Sequence, residues 1–324
     1  MSKAIVIEKT GAPSVMKFRE VDPGKPGRGE VTVEAKAIGV NFIDIYQRTG
    51  LYPVDAPFTP GGELCGVITA LGAGVKGFRI GDRVATGTAG TGCYAELATV
   101  DAGRLIKIPA EISDDEAAAM MLKGLTVQYL IRQTYRVTKG DTILVHAAAG
   151  GVGLILCQWA SSLGATVIGT VSSPAKARLA KAHGCAYPIN YTRQDFVKRV
   201  RTLTGGEGVP VVYDSIGKDT FPASLDCLQK RGLFVTYGNA SGPVPPFPPA
   251  LLAQKGSLFM TRPTLFNYAS TPAELRRMAT DLIKVVKSGA VKIEVNHHYP
   301  LKDAARAHRD LAARKTTGSI VLIP

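Results

Sequence analysis

Residues 141–160, DTILVHAAAGGVGLILCQWA, hold the residue types and spacing that most directly imply chemistry. Residues 143–145 are a short apolar run, as a strand buried on both faces of a parallel sheet requires. A turn of small residues follows at 147–153, and Leu154, Leu156, Cys157, Trp159 and Ala160 then recur at helical spacing. Set against the pattern G-x-G-x-x-G, the three glycine positions are Ala148, Gly150 and Gly153. The middle one lets the backbone approach a pyrophosphate, and the last lets helix and strand pack closely. The helix N-terminus offers free N–H groups and partial positive charge to the phosphates. The first glycine is absent, so the spacing alone also fits a small-residue turn in another kind of α/β protein. Strand, turn and helix in this order favour a dinucleotide.

Sites for NAD carry an acid about 20 residues past the turn, bonded to the ribose 2′-hydroxyl. Here the second strand ends IGTVSS at 168–173 with no acid, and Ser172, Ser173 and Lys176 follow, with Arg178 nearby. Hydroxyls and a cation suit a 2′-phosphate. Lys176 by itself reads as an exposed helix lysine. The missing acid is what favours NADPH over NADH.

These residues need a scaffold. From 141 to about 260, strands are expected at 142–146, 166–171, 187–190, 209–214, 232–237 and 257–260, and helices at 151–163, 174–183, 195–203 and 221–228. The alternation implies an α/β fold with a Rossmann-type doubly wound parallel sheet. Residues 1 to about 120 are β-rich, with strands expected at 4–7, 30–37, 66–71, 83–85 and 94–100, punctuated by Gly24, Gly27, Gly72, Gly74 and Gly81. They read as a domain of β-barrel type. Ser113 and Glu116 have capping-box spacing and open the helices that run to Gln133. The proline-rich stretch 242–249 reads as a surface loop rather than a docking ligand. A helix at 272–287, a β-rich piece at 292–295, a short helix at 302–313 and a strand at 318–323 close the chain and return to the first domain.

The 324 residues suffice for two cores, and 45% hydrophobic with 20% charged residues describe a globular chain. No apolar run reaches the roughly 20 residues of a membrane helix. The N-terminus lacks a signal-peptide core, so a cytoplasmic location is expected. Cys65, Cys93, Cys157, Cys185 and Cys227 are scattered and never C-x-x-C spaced, which argues for a reducing compartment and against a structural metal knot. The net charge of +13 raises the question of a nucleic-acid partner. The densest basic segments, 176–181 and 198–201, hold no run of five basic residues. A solvated basic face and an anionic cofactor account for the charge.

Further segments carry a resemblance. AIGVNFIDIY at 37–46, RTGLYP at 48–53, LKGLTV at 122–127, HAAAGGVG at 146–153, VYDS at 212–215, YGN at 237–239, QKGS at 254–257 and T-R-P at 261–263 together resemble the medium-chain dehydrogenase/reductase superfamily. Within it the chain resembles the zinc-free quinone oxidoreductases of the zeta-crystallin type, from end to end. The resemblance implies a GroES-like catalytic domain at 1–123, an inserted Rossmann domain at 124–265 and a return to the catalytic domain at 266–324. It implies that Asn41, Phe42, Asp44 and Tyr46 lie beside the nicotinamide, with Tyr52 and Arg262 near the electron acceptor. Asn41, Tyr46, Tyr52 and Arg262 are the catalytic candidates. Gly150, Gly151 and Val152 would face the pyrophosphate. Ser172, Ser173, Lys176 and Tyr191, with Arg314 from the returning segment, would surround the 2′-phosphate. Tyr129 would sit near the ribose or phosphates, and Gly238, Asn239, Ala240, Ser241, Phe266, Asn267 and Tyr268 would line the nicotinamide side. Apart from the resemblance, Asn41 reads as a helix-start asparagine and the tyrosines as packing residues. A homodimer paired through sheet edges is implied as well.

The chain departs from the zinc-dependent members where the metal would bind. Asn41 stands where they have a cysteine ligand, and Gly61, Gly62 and Glu63 stand where they have Gly-His-Glu. Their lobe of four closely spaced cysteines is missing. Glu63 is one hard ligand where zinc takes three or four donors, and His297 and His298 read as surface residues. No metal is expected. An acceptor that takes hydride readily then fits best: a quinone, with an enone or alkenal as the alternative. A protein that keeps the fold but binds RNA is the alternative of a different class.

Overall fold

Alternating burial builds the sheet of the first of two units, which takes residues 1–125, 269–287 and 293–324. The computed structural model describes all 324 residues. β1 (Ser2–Ile7) and β2 (Met16–Val21) pair antiparallel as a ribbon. β3 (Glu30–Val40) is the long central strand, followed by α1 (Phe42–Thr49), β4 (Leu64–Leu71), β5 (Arg83–Thr86), β6 (Leu97–Asp101), β7 (Ile106–Lys107) and α2 (Asp114–Tyr129). β3 pairs with β4 along its length and with β6 at its start. Val31, Val33, Ile38, Leu64, Ile68, Val84 and Val100 share one core with Ile5, Ile7 and Tyr94. α2 opens as its spacing predicts: Glu116 N donates to Ser113 Oγ at 3.2 Å, and Ser113 N donates to Glu116 Oε2 at 2.9 Å.

The second unit takes 126–268 and 288–292. Its strands are β8 (Thr142–Val145), β9 (Thr166–Val171), β10 (Cys185–Asn190), β11 (Val209–Asp214), β12 (Leu228–Thr236) and β13 (Phe259–Thr261). Its helices are α3 (Gly151–Ser162), α4 (Pro174–Ala182), α5 (Phe196–Leu203), α6 (Ala250–Gln254) and α7 (Leu265–Tyr268). The six strands lie parallel in the order β10-β9-β8-β11-β12-β13. The order reverses between β8 and β11, so the loops leaving these strands diverge at their carboxyl ends, where doubly wound sheets bind ligands. Leu144, Ile168, Val212 and Phe234 bury one face of the sheet.

The chain then returns to the first unit with α8 (Pro272–Lys287), β14 (Val295–Pro300), α9 (Ala304–Ala312) and β15 (Ser319–Ile323). β15 pairs antiparallel with β3, setting Ile320 opposite Val40, and β14 runs parallel to β15. The C-terminal segment thus completes the sheet begun near the N-terminus.

Several elements differ from expectation. The predicted helix at 221–228 is a 3-10 turn, Ala223–Cys227, and Leu228 opens β12. Phe221, Leu225 and Leu228 do share a core, but Leu228 reaches it as a strand residue paired with Val209. The strand expected at 94–100 begins only at Leu97, and the β piece expected at 292–295 lies at Val295–Pro300. β2, α6 and α7 were not anticipated; β2 exposes four consecutive residues, Lys17 to Glu20, and so lacks the alternation that marks a strand. No helix is long and apolar enough to cross a membrane.

Candidate functional site

In the second unit the turn after β8 delivers α3 with its first N–H groups uncapped. Gly150 is extended (φ −83°, ψ 172°) and no side chain caps the helix, so Gly151 and Val152 present the free N–H groups of its first turn. The missing first glycine has a local cause. Ala148 is buried, and Gly169 in β9 makes room for it: a Cβ on Gly169 would lie 2.6 Å from that of Ala148. Gly153 admits no side chain, because a Cβ there would lie 2.3 Å from Ala147 O and 2.8 Å from the Ala148 carbonyl carbon. Gly153→Ala is therefore expected to force the turn off the helix and lower stability by about 1–3 kcal/mol. Urea midpoints and nucleotide titrations check this; unchanged stability and binding would contradict it.

Ser172, Ser173, Lys176 and Tyr191 gather beyond the carboxyl ends of β9 and β10. Ser173 is the N-cap of α4, its Oγ accepting from Lys176 N at 3.2 Å, which leaves its proton for a ligand. Lys176 is half-buried in the first turn of α4, and Tyr191 is exposed. No acid stands among them, and the arrangement fits a 2′-phosphate.

The loops beyond β11, β12 and β13 hold the remaining candidates of this unit. Gly238 packs on the chain at Ser215, where a Cβ would lie 2.6 Å from Ser215 O. Asn239 and Ala240 follow, and Ala240 N donates to Ser215 O at 3.1 Å. Ser241 Oγ donates to Ile216 O at 2.9 Å and accepts from Asp219 N at 3.0 Å. Its hydroxyl is engaged inside the loop. Arg262 is exposed just past β13, and Phe266 and Asn267 are exposed on α7. Tyr268 stacks on Tyr129 with centroids 4.5 Å apart at 11°, and its Oη accepts from Thr134 Oγ1 at 2.9 Å. Tyr129 is 2% exposed and packs against Tyr268.

Beneath the turn lies a network the sequence reading passed over. His146 Nδ1 lies 2.8 Å from Thr170 Oγ1 and Nε2 2.9 Å from Ser224 Oγ. Asp214 Oδ1 accepts from the N–H groups of Ile216 and Gly217, and Oδ2 from Thr220 Oγ1. It fixes the loop that leaves β11 at the switch point. Both residues stand in segments already singled out, HAAAGGVG and VYDS, but nothing in their spacing says that they meet.

In the first unit the candidates cluster on α1. Asn41 is its N-cap, and Asp44 Oδ2 accepts from Asn41 N at 2.8 Å. The Asn41 amide donates through Nδ2 to Glu63 Oε2 at 2.7 Å. A carboxylate only accepts, so the amide must turn its nitrogen toward Glu63. Glu63 is fully buried; it also accepts from Leu122 N at 2.8 Å and from Lys123 Nζ at 3.1 Å. Gly39 leaves the space, since a Cβ there would meet Glu63 Oε2. Phe42 and Tyr46 lie 6.0 Å apart, and the Tyr46 and Tyr52 rings meet edge-on at 5.2 Å. Arg314 follows α9 in a left-handed conformation (φ 58°). Asp44 has no exposed surface at all. It supports Asn41 from behind, accepting from its backbone N–H.

The donor set here suits no divalent metal: Glu63 is one carboxylate, already paired with an ammonium. No group of three His, Cys, Asp or Glu side chains elsewhere is placed to hold one. Burial pushes the Asp44 carboxyl up to about 7, against the lowering effect of its bonds from Asn41 and Tyr94. The folded carboxyl thus keeps its proton where the unfolded one, at an ordinary 3.8, has lost it, and its contribution to stability falls as pH rises from about 4 to about 7. Asp44→Asn is expected to gain about 2–3 kcal/mol of stability relative to the parent between about pH 5 and about pH 8. A pH-independent difference in urea midpoints would refute this.

With this geometry in view, the relatives are informative. Residues 27–110 match the alcohol dehydrogenase GroES-like domain and 151–282 the zinc-binding dehydrogenase family. The chain is 52% identical to a quinone oxidoreductase of Pseudomonas aeruginosa over the whole of both chains. The crystal structure of the Escherichia coli quinone oxidoreductase complexed with NADPH superposes with a TM-score of 0.98 at 47% identity, covering 99% of this chain and 100% of that one. A 2-haloacrylate reductase of a Burkholderia species is 46% identical, over 100% of this chain and 99% of its own. The chain belongs to the medium-chain dehydrogenase/reductase superfamily, with its GroES-like and Rossmann domains, and within it to the quinone oxidoreductases.

Proposed function

We propose that this chain is an NADPH:quinone oxidoreductase that works without a metal. The observation that carries the reading is the group at the ends of β9 and β10: Ser172 and Lys176 with no acid, beside an uncapped helix end. These residues fit NADPH. Gly151 and Val152 would hold the pyrophosphate, Ser172, Lys176, Tyr191 and Arg314 the 2′-phosphate, and Gly238, Asn239 and Phe266 the nicotinamide side. Bound NADPH supplies a hydride. Asn41, its amide fixed by Glu63, and Tyr46 lie beside the nicotinamide and hold it in register with the acceptor. Tyr52 and Arg262 donate to the acceptor's oxygen as charge develops there, and solvent returns the proton. In this reading 1–123 and 266–324 form the catalytic domain and 124–265 the cofactor domain, in a cytoplasmic homodimer paired through sheet edges.

The likeness to a 2-haloacrylate reductase supports a second reading, reduction of an activated alkene. Turnover with 1,4-benzoquinone and with an α,β-unsaturated aldehyde, compared at saturating NADPH, separates the two. A higher kcat/KM for the quinone is expected; turnover confined to the aldehyde would replace the first reading by the second.

A further inference from the structure

Four buried side chains of the first unit lie end to end. Arg48 NH1 stands 3.2 Å from His308 Nδ1, His308 Nε2 stands 3.0 Å from Tyr94 Oη, and Tyr94 Oη stands 2.9 Å from Asp44 Oδ2. None of the four is more than 4% exposed. Chemistry sets the direction of every proton along this line. A guanidinium only donates, so His308 Nδ1 accepts and the ring proton sits on Nε2. Nε2 then donates to the Tyr94 oxygen, which leaves the phenol proton one acceptor, Asp44 Oδ2. The other carboxylate oxygen, Oδ1, is buried without a partner and is the atom that takes the proton when Asp44 is neutral. A neutral His308 agrees with its surroundings: burial first and the Arg48 charge second hold it down to about 3.

We propose that Tyr94 and His308 are positioning residues for the reaction, the last links of a directed chain that holds Asp44, seats the N-terminus of α1, and so orients Asn41 and Tyr46. The proposal rests on the reading that Asn41 and Tyr46 hold nicotinamide and acceptor in register. It gives α9 a purpose beyond packing, since His308 is the contribution of that returning helix to the chain. Nothing in the line touches substrate. The groups that face Asp44 are Tyr94 and Cys93 from the segment before β6, Glu63, and Lys123 on α2, with His308 and Arg48 behind Tyr94.

Tyr94→Phe removes the hydroxyl and keeps the ring, which lies on Gly61 and edge-on to His308. His308→Gln retains an acceptor for Arg48 and a donor for Tyr94, whereas His308→Leu retains neither. In the full-length protein with NADPH and benzoquinone, Tyr94→Phe and His308→Leu are expected to lose about tenfold or more in kcat, with KM for NADPH little changed. Tyr94→Phe should also shift the pH profile of kcat upward, because Asp44 loses the donor that favours its charged form. His308→Gln should stay within a few-fold of the parent. Amide hydrogen exchange at 41–45, read without cofactor or substrate, should speed up in Tyr94→Phe and His308→Leu alone. Parental exchange, kcat and pH profile in a folded Tyr94→Phe would overturn the proposal, as would identical behaviour of the two His308 variants. If the parent fails to reduce quinone, the proposed function falls, and the exchange rates still decide the chain.

Discussion

Replacing Lys176 with alanine is expected to raise the KM for NADPH about 10- to 150-fold, the loss of a charge-assisted hydrogen bond of about 1.5–3 kcal/mol. The KM for NADH should change little, because the ammonium has no phosphate to meet there. The structure supports this selectivity. Lys176 lies in the first turn of α4, half-buried, and its backbone N–H is held by Ser173 Oγ. That bond fixes where the side chain starts and shortens the search it must make for a phosphate. Steady-state kinetics with both cofactors check the prediction. Equal effects on NADPH and NADH would remove Lys176 from the cofactor site.

The second large effect concerns the buried pair behind Asn41. Lys123→Met should lower stability by about 3–5 kcal/mol, since it leaves the Glu63 carboxylate buried without its counter-charge. Glu63 has no exposed surface, and of its two oxygens one serves Leu122 N while the other serves both Asn41 and Lys123. Adding Glu63→Gln to Lys123→Met should recover most of that loss, because an amide needs no cation. The double variant should stay impaired in quinone turnover, since the introduced amide presents either a donor or a weaker acceptor to the Asn41 side chain. Urea midpoints of the two single variants and the double one close the cycle. Simple additivity would mean that the two residues are not coupled.

How much of this was legible in the sequence varies from place to place. The doubly wound sheet was, because its strands are short apolar runs and its helices recur between them. The nucleotide turn was legible despite its missing glycine, and the reason Ala148 is tolerated was not, since Gly169 stands a strand away. α1 was legible only in part: Asn41 reads as its cap and Phe42, Ile45 and Tyr46 recur at helical spacing, but the helix is only eight residues long. The supports of the site were the least legible. Glu63, Tyr94, Lys123 and His308 are scattered over nearly the whole chain, and only the fold brings them behind Asn41. Asp44 shares a motif with Asn41 and Tyr46, and the capping geometry that turns it inward shows only in the fold. The hydrogen-bond pair at Ser241 and the stacking of Tyr129 on Tyr268 were not legible either, since their partners lie elsewhere in the chain.

The most direct test is the rate of NADPH consumption by the full-length protein with and without benzoquinone, before and after exhaustive treatment with a chelator. NADPH is expected to be consumed only when quinone is present and at the same rate after chelation. Activity that disappears with the chelator and returns with zinc would contradict a metal-free site built on Asn41 and Glu63. A protein that binds NADPH yet leaves it unoxidised by quinone would contradict the function itself.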